Sequence, residues 1–170
     1  MRGGQMGVFW DRRLWRAAAA ALLTLAACAA VAGDAPGEMT MTPIGQVTAA
    51  EGRSFIHVDQ SCRRVLPGLD AYSPLWLIWW FDRNDTPERR AILQVHPRRD
   101  SRNPLTGVFA TRAPVRPNLI GLSLCRIVAV EDGRVEVEGI DAYPGTPVLD
   151  LKPYLRGVES VPGAVAPQRY

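Results

Sequence analysis

The chain has 170 residues, 47% of them hydrophobic, and a formal net charge of +3. This length and composition predict one globular domain with a sizeable core, and they exclude an intrinsically disordered chain. The charge is uneven, because residues 83–116 contain eight arginines against three acidic residues. That segment is either a solvated loop or a surface that faces the phosphates of RNA.

Residues 1–38 are interpreted as a leader and not as part of the fold. A basic stretch precedes a run of alanine and leucine, which is the pattern of a secretory signal. The run ends at Cys28, in a context that resembles a bacterial lipoprotein box, so a membrane association would depend on lipidation of Cys28. Met39 offers another start, and we expect a cytoplasmic protein that begins at or near this residue. The alternative is a real leader and a membrane lipoprotein or periplasmic protein.

Short apolar segments then predict strands at 44–47, 55–58, 75–81, 91–95, 123–130 and 134–140. The tryptophan-rich run at 75–81 is predicted to be buried on both faces, or buried on one face and used in an interface on the other. Asp132 and Gly133 predict the turn of a hairpin. No segment has sustained helical periodicity, so we predict a mostly β fold, a single small β-barrel with little helix over 39–157, followed by a tail at 158–170.

Metal and nucleophile motifs are missing from the sequence. The three cysteines and two histidines have neither the spacing of a metal site nor a partner for a Ser-His-Asp triad. Cys125 lies within an apolar run and is predicted to be a buried thiol of the core. We therefore predict no metal.

The stretch 107–124 is the most informative part of the chain. Pro114 and Pro117 stiffen an extended loop that carries Arg112 and Arg116 between apolar segments. Such a loop suits the binding of an anionic or carboxylate-bearing ligand, although an exposed basic loop without a site is the simpler interpretation.

Two blocks of sequence carry a resemblance to a known family. GVFATRAPVRPNLIGLSL at 107–124 and GIDAYPGTPVLDLKPY at 139–154 resemble the paired signature of the TsaA-like (YaeB, TrmO) family. The resemblance implies a β-barrel methyltransferase that uses S-adenosyl-L-methionine. It also implies a homodimer and a tRNA partner, with N6-methylation of threonylcarbamoyladenosine as the best-known reaction.

The resemblance also implies the residues of the site. Arg112 and Asp141 suit the carboxylate and the hydroxyl or ammonium groups of the cofactor, and no catalytic residue is assigned because Asp141 and Asp82 are only candidate bases. The expected cofactor-binding residues are Asp82, Arg83, Arg112, Leu122, Glu138, Gly139, Ile140 and Asp141. The expected substrate-binding residues are Arg116, Asn118, Lys152 and Tyr154.

Departures from the family pattern keep other functions open. A loop of Pro-Arg-Gln type after the first strand is missing, and Leu119 stands where the family has a second proline after Arg-Pro-Asn. The extra C-terminal domain of many bacterial members is not expected here. One alternative is therefore a methyltransferase for a small-molecule acceptor, and another is a non-catalytic exported binding module of the same fold.

Overall fold

The computed structural model describes residues 39–167, which are dominated by strands. The strands are β1 Gly45–Ala50, β2 Arg53–Val58, β3 Leu75–Trp80, β4 Gln94–Val95, β5 Thr106–Gly107, β6 Ile120–Glu131, β7 Arg134–Glu138 and β8 Pro147–Pro153. Two short α-helices, α1 Pro87–Arg90 and α2 Arg156–Glu159, and several 3-10 turns occupy the connections. No helix in this range is long and apolar enough to cross a membrane.

Six of the strands pair in a cyclic order. The order of hydrogen-bonded strands is β1-β2-β7-β6-β3-β8. The last strand, β8, pairs with the first, β1, which is the connectivity of a closed barrel. All of these pairs are antiparallel, and β4 and β5 form a separate two-stranded sheet. The prediction of a mostly β fold is confirmed.

Alternation along the strands places the core inside the closed sheet. In β3 the side chains of Leu75, Leu77 and Trp79 are buried, whereas those between them are partly exposed. In β6 the buried positions include Ser123 and Cys125, and the intervening positions face outward. The run at 75–81 is therefore buried on one face only, and the use of its other face in an interface stays a prediction.

The hairpin between β6 and β7 is the best-predicted local feature. Asp132 and Gly133 both adopt left-handed backbone conformations, with φ of 47° and 77°. Two consecutive positive φ values define the turn whose twist matches that of the flanking strands, and an Asp-Gly pair adopts them readily. The prediction of a hairpin at this position is confirmed.

Two predictions of secondary structure are wrong. The first is the strand predicted at 91–95, which is reduced to β4 and follows the helix α1. Thr86 caps α1, because its hydroxyl oxygen accepts a hydrogen bond from the backbone N–H of Arg89 at 3.3 Å, and Pro87 follows at the first helical position. The second error is the omission of β8, which lies within the second signature block.

Candidate functional site

A small cavity opens beside the carboxyl end of β3 and the start of β6, with a volume of about 290 Å³. We call it the smaller cavity. Three of the predicted cofactor-binding residues, Arg112, Leu122 and Asp141, lie together in its wall, and so does Arg116. The residues that line it are Trp79, Phe81, Phe109, Thr111, Arg112, Arg116, Ile120, Gly121, Leu122 and Asp141.

An aromatic wall depends on a glycine. The rings of Trp79 and Phe81 contact each other in a tilted arrangement, with their centroids 4.3 Å apart. Gly121 lies against the Trp79 ring so closely that a Cβ atom built on it would be 2.4 Å from Cε2 of the indole. Only glycine allows the β6 backbone and the Trp79 ring to occupy these positions together.

A chain of hydrogen bonds leads from the core to the cavity. The indole Nε1–H of Trp79 donates to the hydroxyl oxygen of Ser123 at 3.0 Å, and the hydroxyl of Ser123 donates to Oδ1 of Asp141. Ser123 is buried, so its hydroxyl needs both partners. The chain orients the carboxylate of Asp141, which follows β7, toward the smaller cavity.

The charge of Asp141 also affects a thiol of the core. Cys125 lies in β6 and is completely buried. Burial, and secondarily the charge of Asp141, raises the pKa of the Cys125 thiol to about 11. The prediction of a buried core thiol is confirmed, and this thiol stays protonated at neutral pH.

The two arginines of the loop before β6 have different roles. Nη1 of Arg116 lies 3.1 Å from the carbonyl oxygens of Thr111 and Ala113 and 3.3 Å from that of Val108. The Arg116 guanidinium, which was predicted to bind substrate, therefore stabilises the conformation of its own loop. Arg112 makes one long hydrogen bond, 3.4 Å to the carbonyl oxygen of Leu122, and the rest of its guanidinium is available at the cavity wall.

Other predicted cofactor-binding residues lie outside the smaller cavity. Glu138 points to solvent and pairs with Arg126, with Nη2 and Oε2 2.5 Å apart. Gly139 makes a turn with a φ of 82°, and Ile140 packs against the core. These residues shape the segment that carries Asp141, and none of them lines the smaller cavity.

The two predicted residues that follow β3 also lie outside the lining of the smaller cavity. Asp82 and Arg83 lie in a 3-10 turn and are exposed. The guanidinium carbon of Arg83 lies 4.4 Å from the centre of the Tyr143 ring, and Nη2 donates to the carbonyl oxygen of Pro144 at 3.5 Å. Arg83 thereby ties the turn after β3 to the loop before β8.

Within a single chain, none of the remaining predicted substrate-binding residues lines the smaller cavity. Lys152 pairs in register with Trp76, at the end of β3 opposite the cavity, and its ammonium lies 2.7 Å from Asp150. The hydrogen bond that the Lys152 ammonium donates to the carboxylate of Asp150 raises the pKa of Lys152. The ring of Tyr154 lies 6.1 Å from that of Trp76, and Asn118 is exposed in the loop.

A second, larger cavity adjoins the first and has a volume of about 550 Å³. We call it the arginine-lined cavity. It shares Thr111 and Arg112 with the smaller cavity. Its lining residues are Asn84, Arg89, Val95, His96, Pro97, Arg98, Arg99, Thr111, Arg112, Ala113, Pro114 and Val115. Within residues 39–167, no group of three or more His, Cys, Asp or Glu side chains could hold a metal ion.

Sequence reasoning missed several residues of these cavities. Ser123 is a polar residue at an inward position of β6, and a polar residue on the buried face of an alternating strand is the signal that could have found it. Trp79 was assigned only to the core or an interface. Phe109 is 81% exposed beside the smaller cavity, and the sequence gives no sign that distinguishes it from a buried phenylalanine.

The fold and the two cavities therefore define a small β protein with an arginine and a carboxylate converging on an aromatic ligand site. Residues 37–160 match the tRNA-methyltransferase O N-terminal domain. The chain belongs to this family.

The relatives carry names that agree with one another. A probable S-adenosyl-L-methionine-binding protein of Methanocaldococcus jannaschii is 40% identical over 112 residues, which are 66% of this chain and 89% of that protein. The rat tRNA (adenine(37)-N6)-methyltransferase is 44% identical over 103 residues, 61% of this chain but only 23% of that protein.

A solved structure supports the same assignment. The crystal structure of TrmO from Pseudomonas aeruginosa superposes with a TM-score of 0.62 and 29% sequence identity. The match covers 80% of this chain and 63% of that chain. The present chain thus spans less than two thirds of the length of that structure.

Proposed function

We propose that the protein is a methyltransferase that uses S-adenosyl-L-methionine to modify tRNA. The smaller cavity is the observation that carries the proposal, because Arg112, Leu122 and Asp141 reach it from separate parts of the chain. Family membership and the names of the relatives support it.

The residues of the smaller cavity suit the groups of S-adenosyl-L-methionine. Arg112 offers donors for its carboxylate, and Asp141 offers acceptors for its hydroxyl or ammonium groups. The aromatic wall of Trp79 and Phe81, with Leu122, suits the flat adenine. When bound, the cofactor supplies a methyl group on a positively charged sulfur, and the protein orients that group and excludes water.

The acceptor that we propose is N6 of threonylcarbamoyladenosine in tRNA. Transfer of a methyl group to this nitrogen requires the loss of its proton. Asp141 lines the smaller cavity, whereas the other candidate base, Asp82, lies in a turn and lines neither of the two cavities described above. Asp141 is therefore the better candidate base, in addition to the cofactor-binding role proposed for it.

We further propose a homodimer that uses the outer face of β3 and β6. The outward residues of the two strands lie in register and form one apolar surface beside the smaller cavity. Exposed fractions of 38–44% on the β6 side indicate that a single chain leaves this surface open to water. The residues are Trp76, Ile78, Trp80, Ile120, Leu122 and Leu124.

The size of the smaller cavity supports the same dimer. Its volume of about 290 Å³ lies at the lower limit of small-molecule sites, which are roughly 300–1,000 Å³. Ile120 and Leu122 belong both to the cavity and to the apolar face, so a second chain on this face would add to the cavity wall.

The dimer is tested by light scattering during size-exclusion chromatography. Leu124→Lys places a charge on the apolar face, at a residue outside the lining of the smaller cavity, and should shift the protein from dimer to monomer. Val165→Lys, at a residue that is 97% exposed, makes the same change outside the face and should have no effect. A monomeric parent protein would refute the proposal.

We also propose that the protein acts in the cytoplasm, where both the methyl donor and tRNA are found. The leader interpretation, Cys28 included, falls in residues 1–38, outside the described part of the chain. Mass spectrometry of the N-terminal peptide of the native protein tests the proposal. A peptide that begins at or near Met39 is expected, whereas a lipid-modified Cys28 in the membrane fraction would show an exported lipoprotein.

The methyltransferase proposal is tested in two stages. Calorimetry of the full chain should show binding of S-adenosyl-L-methionine or its demethylated product, and no binding of either would remove the proposal. The protein is then incubated with a labelled methyl donor and tRNA that carries threonylcarbamoyladenosine. Label should appear in the RNA, and a protein that binds the donor but leaves the RNA unlabelled would favour a small-molecule acceptor over tRNA.

A further inference from the structure

The arginine-lined cavity concentrates positive charge without a counter-charge. Four arginines line it, and no aspartate or glutamate is among its lining residues. Within residues 39–167, none of these four arginines takes part in an ion pair with a carboxylate. Like charges in a concave site repel one another and attract a ligand of the opposite charge. The four residues are Arg89, Arg98, Arg99 and Arg112.

The loop that carries two of these arginines has a constrained backbone. Arg98 and Arg99 both adopt left-handed conformations, with φ of 59° and 58°. Such conformations are costly for residues other than glycine, and they persist where the surroundings determine them, often at functional sites.

Hydrogen bonds close this loop on itself. The ring Nδ1 of His96 lies 2.7 Å from the carbonyl oxygen of Asn103, so Nδ1 is the nitrogen that carries the proton. The amide of Asn103 donates to the carbonyl oxygen of Pro97 at 2.9 Å. These bonds fix both ends of the loop, and the backbone between them presents two adjacent guanidinium groups to the cavity.

The walls of the cavity are apolar between the charged groups. Val95 and Pro97 on one side and Ala113, Pro114 and Val115 on the other line it. A volume of about 550 Å³ is within the range of roughly 300–1,000 Å³ for small-molecule sites. The lining therefore suits the part of a ligand in which an anionic group lies beside apolar atoms.

The position of this cavity beside the smaller one identifies that ligand. Two substrates of a transfer reaction must bind next to each other, and Thr111 and Arg112 form a shared wall of the two cavities. We propose that the arginine-lined cavity is the acceptor site and selects an acceptor by an anionic group, a carboxylate on the modified base or a phosphate of the RNA. This inference rests on the proposed methyltransferase function.

The test compares two variants of the full chain. The double variant Arg98→Gln with Arg99→Gln removes two charges from the cavity. Arg102→Gln is the control, because Arg102 is in the same loop but pairs with Asp100 at 2.7 Å, is 89% exposed and does not line the cavity. Neither variant changes the smaller cavity, so both should bind S-adenosyl-L-methionine as the parent does.

Two probes separate the sources of the anion. Free N6-threonylcarbamoyladenosine has a carboxylate and no phosphate, and an unmodified anticodon stem-loop has phosphates and no such carboxylate. The double variant should bind at least one probe more weakly by about tenfold or more, as expected for lost charge-assisted hydrogen bonds. Weaker binding of the nucleoside identifies the carboxylate, and weaker binding of the stem-loop alone identifies a phosphate.

Two further outcomes are decisive. Equal binding of both probes by the parent, the double variant and the control would overturn the assignment of the cavity. If the parent does not bind S-adenosyl-L-methionine, the methyltransferase proposal fails. A difference between the double variant and the control would then still show that the cavity binds an anion.

Discussion

Substitution of Gly121 by alanine tests whether the aromatic wall of the smaller cavity depends on a missing side chain. The new Cβ atom would lie 2.4, 2.5 and 2.8 Å from three atoms of the Trp79 indole. Because real Cβ atoms do not approach other atoms so closely, the ring has to move. Trp79 is buried, so we expect a loss in the free energy of unfolding of about 1–3 kcal/mol, as for other overpacked cores.

The displaced ring should also weaken ligand binding. Trp79 lines the smaller cavity and donates to Ser123, which in turn orients Asp141. Chemical denaturation measures the loss of stability, and calorimetry with S-adenosyl-L-methionine measures the loss of affinity. Gly107→Ala is the matched control, because a Cβ atom at Gly107 would have no neighbour within 4 Å and its φ of −57° suits any residue.

A double-mutant cycle identifies the cause. Trp79→Phe replaces the indole by a smaller ring, which leaves more room for the ring to move away from the new Cβ atom. In this background Gly121→Ala should cost much less than in the parent, so the two substitutions should show a coupling energy of the kind found between residues in contact. If Gly121→Ala is as stable as Gly107→Ala, the proposed dependence of the wall on glycine is refuted.

Three other measurements test separate features of the structure. Arg112→Ala should weaken cofactor binding by about 1.5–3 kcal/mol through the loss of a charge-assisted hydrogen bond, and calorimetry that shows parental affinity would remove Arg112 from the site. The Cys125 thiol, with an ordinary pKa of 9.0 and a folded pKa of about 11, should stabilise the fold fully below pH 9. Its contribution should fall by about 1.4 kcal/mol per pH unit up to pH 11, and Cys125→Ala should remove this part of the alkaline slope in denaturation curves. Glu159→Ala should lower the free energy of unfolding by about 0.5–1.5 kcal/mol, because Glu159 accepts hydrogen bonds from the Trp76 indole at 2.7 Å and the Leu155 N–H at 2.6 Å. Glu51→Ala, at an exposed ion pair, is the control. An equal loss of stability in the two variants would contradict the prediction.

The features that were predictable from sequence are those that a local pattern determines. The Asp132-Gly133 turn and the strand predicted at 134–140 each depend on a few adjacent residues; the turn is found as predicted, and the strand is found at Arg134–Glu138. The strand at 91–95 was wrong because its apolar residues follow a Thr86-Pro87 helix start that was not recognised. The strand propensity of a short segment is a weak predictor of its structure when a helix-capping residue lies just before it.

The site was predictable only in part, for a different reason. Arg112 and Asp141 were predicted because the resemblance implies a cofactor whose groups they suit, and both line the smaller cavity. The roles of Arg116 and Ser123 depend on three-dimensional contacts, since Arg116 bonds to carbonyls of its own loop and Ser123 bridges two distant segments. The spacing of residue types along the sequence does not indicate such contacts.

Leu119 shows how a departure from the family pattern acts on the backbone. Its φ is 51°, and its N–H lies 3.3 Å from the carbonyl oxygen of Arg116. A proline has a φ near −65° and no N–H, so it could occupy neither the conformation nor the hydrogen bond. The loop in this chain therefore takes a path that the proline of the family pattern would prevent.

The wall shared by the two cavities has a thermodynamic consequence. Any ligand that moves Arg112 or Thr111 on one side changes the affinity for the ligand on the other side. Linkage requires that the effect be reciprocal, so in the two proposed sites an acceptor alters the affinity for the methyl donor by the same factor by which the donor alters that for the acceptor. The two substrates should therefore bind cooperatively, with a sign set by whether the Arg112 guanidinium serves both ligands at once or must leave one to reach the other.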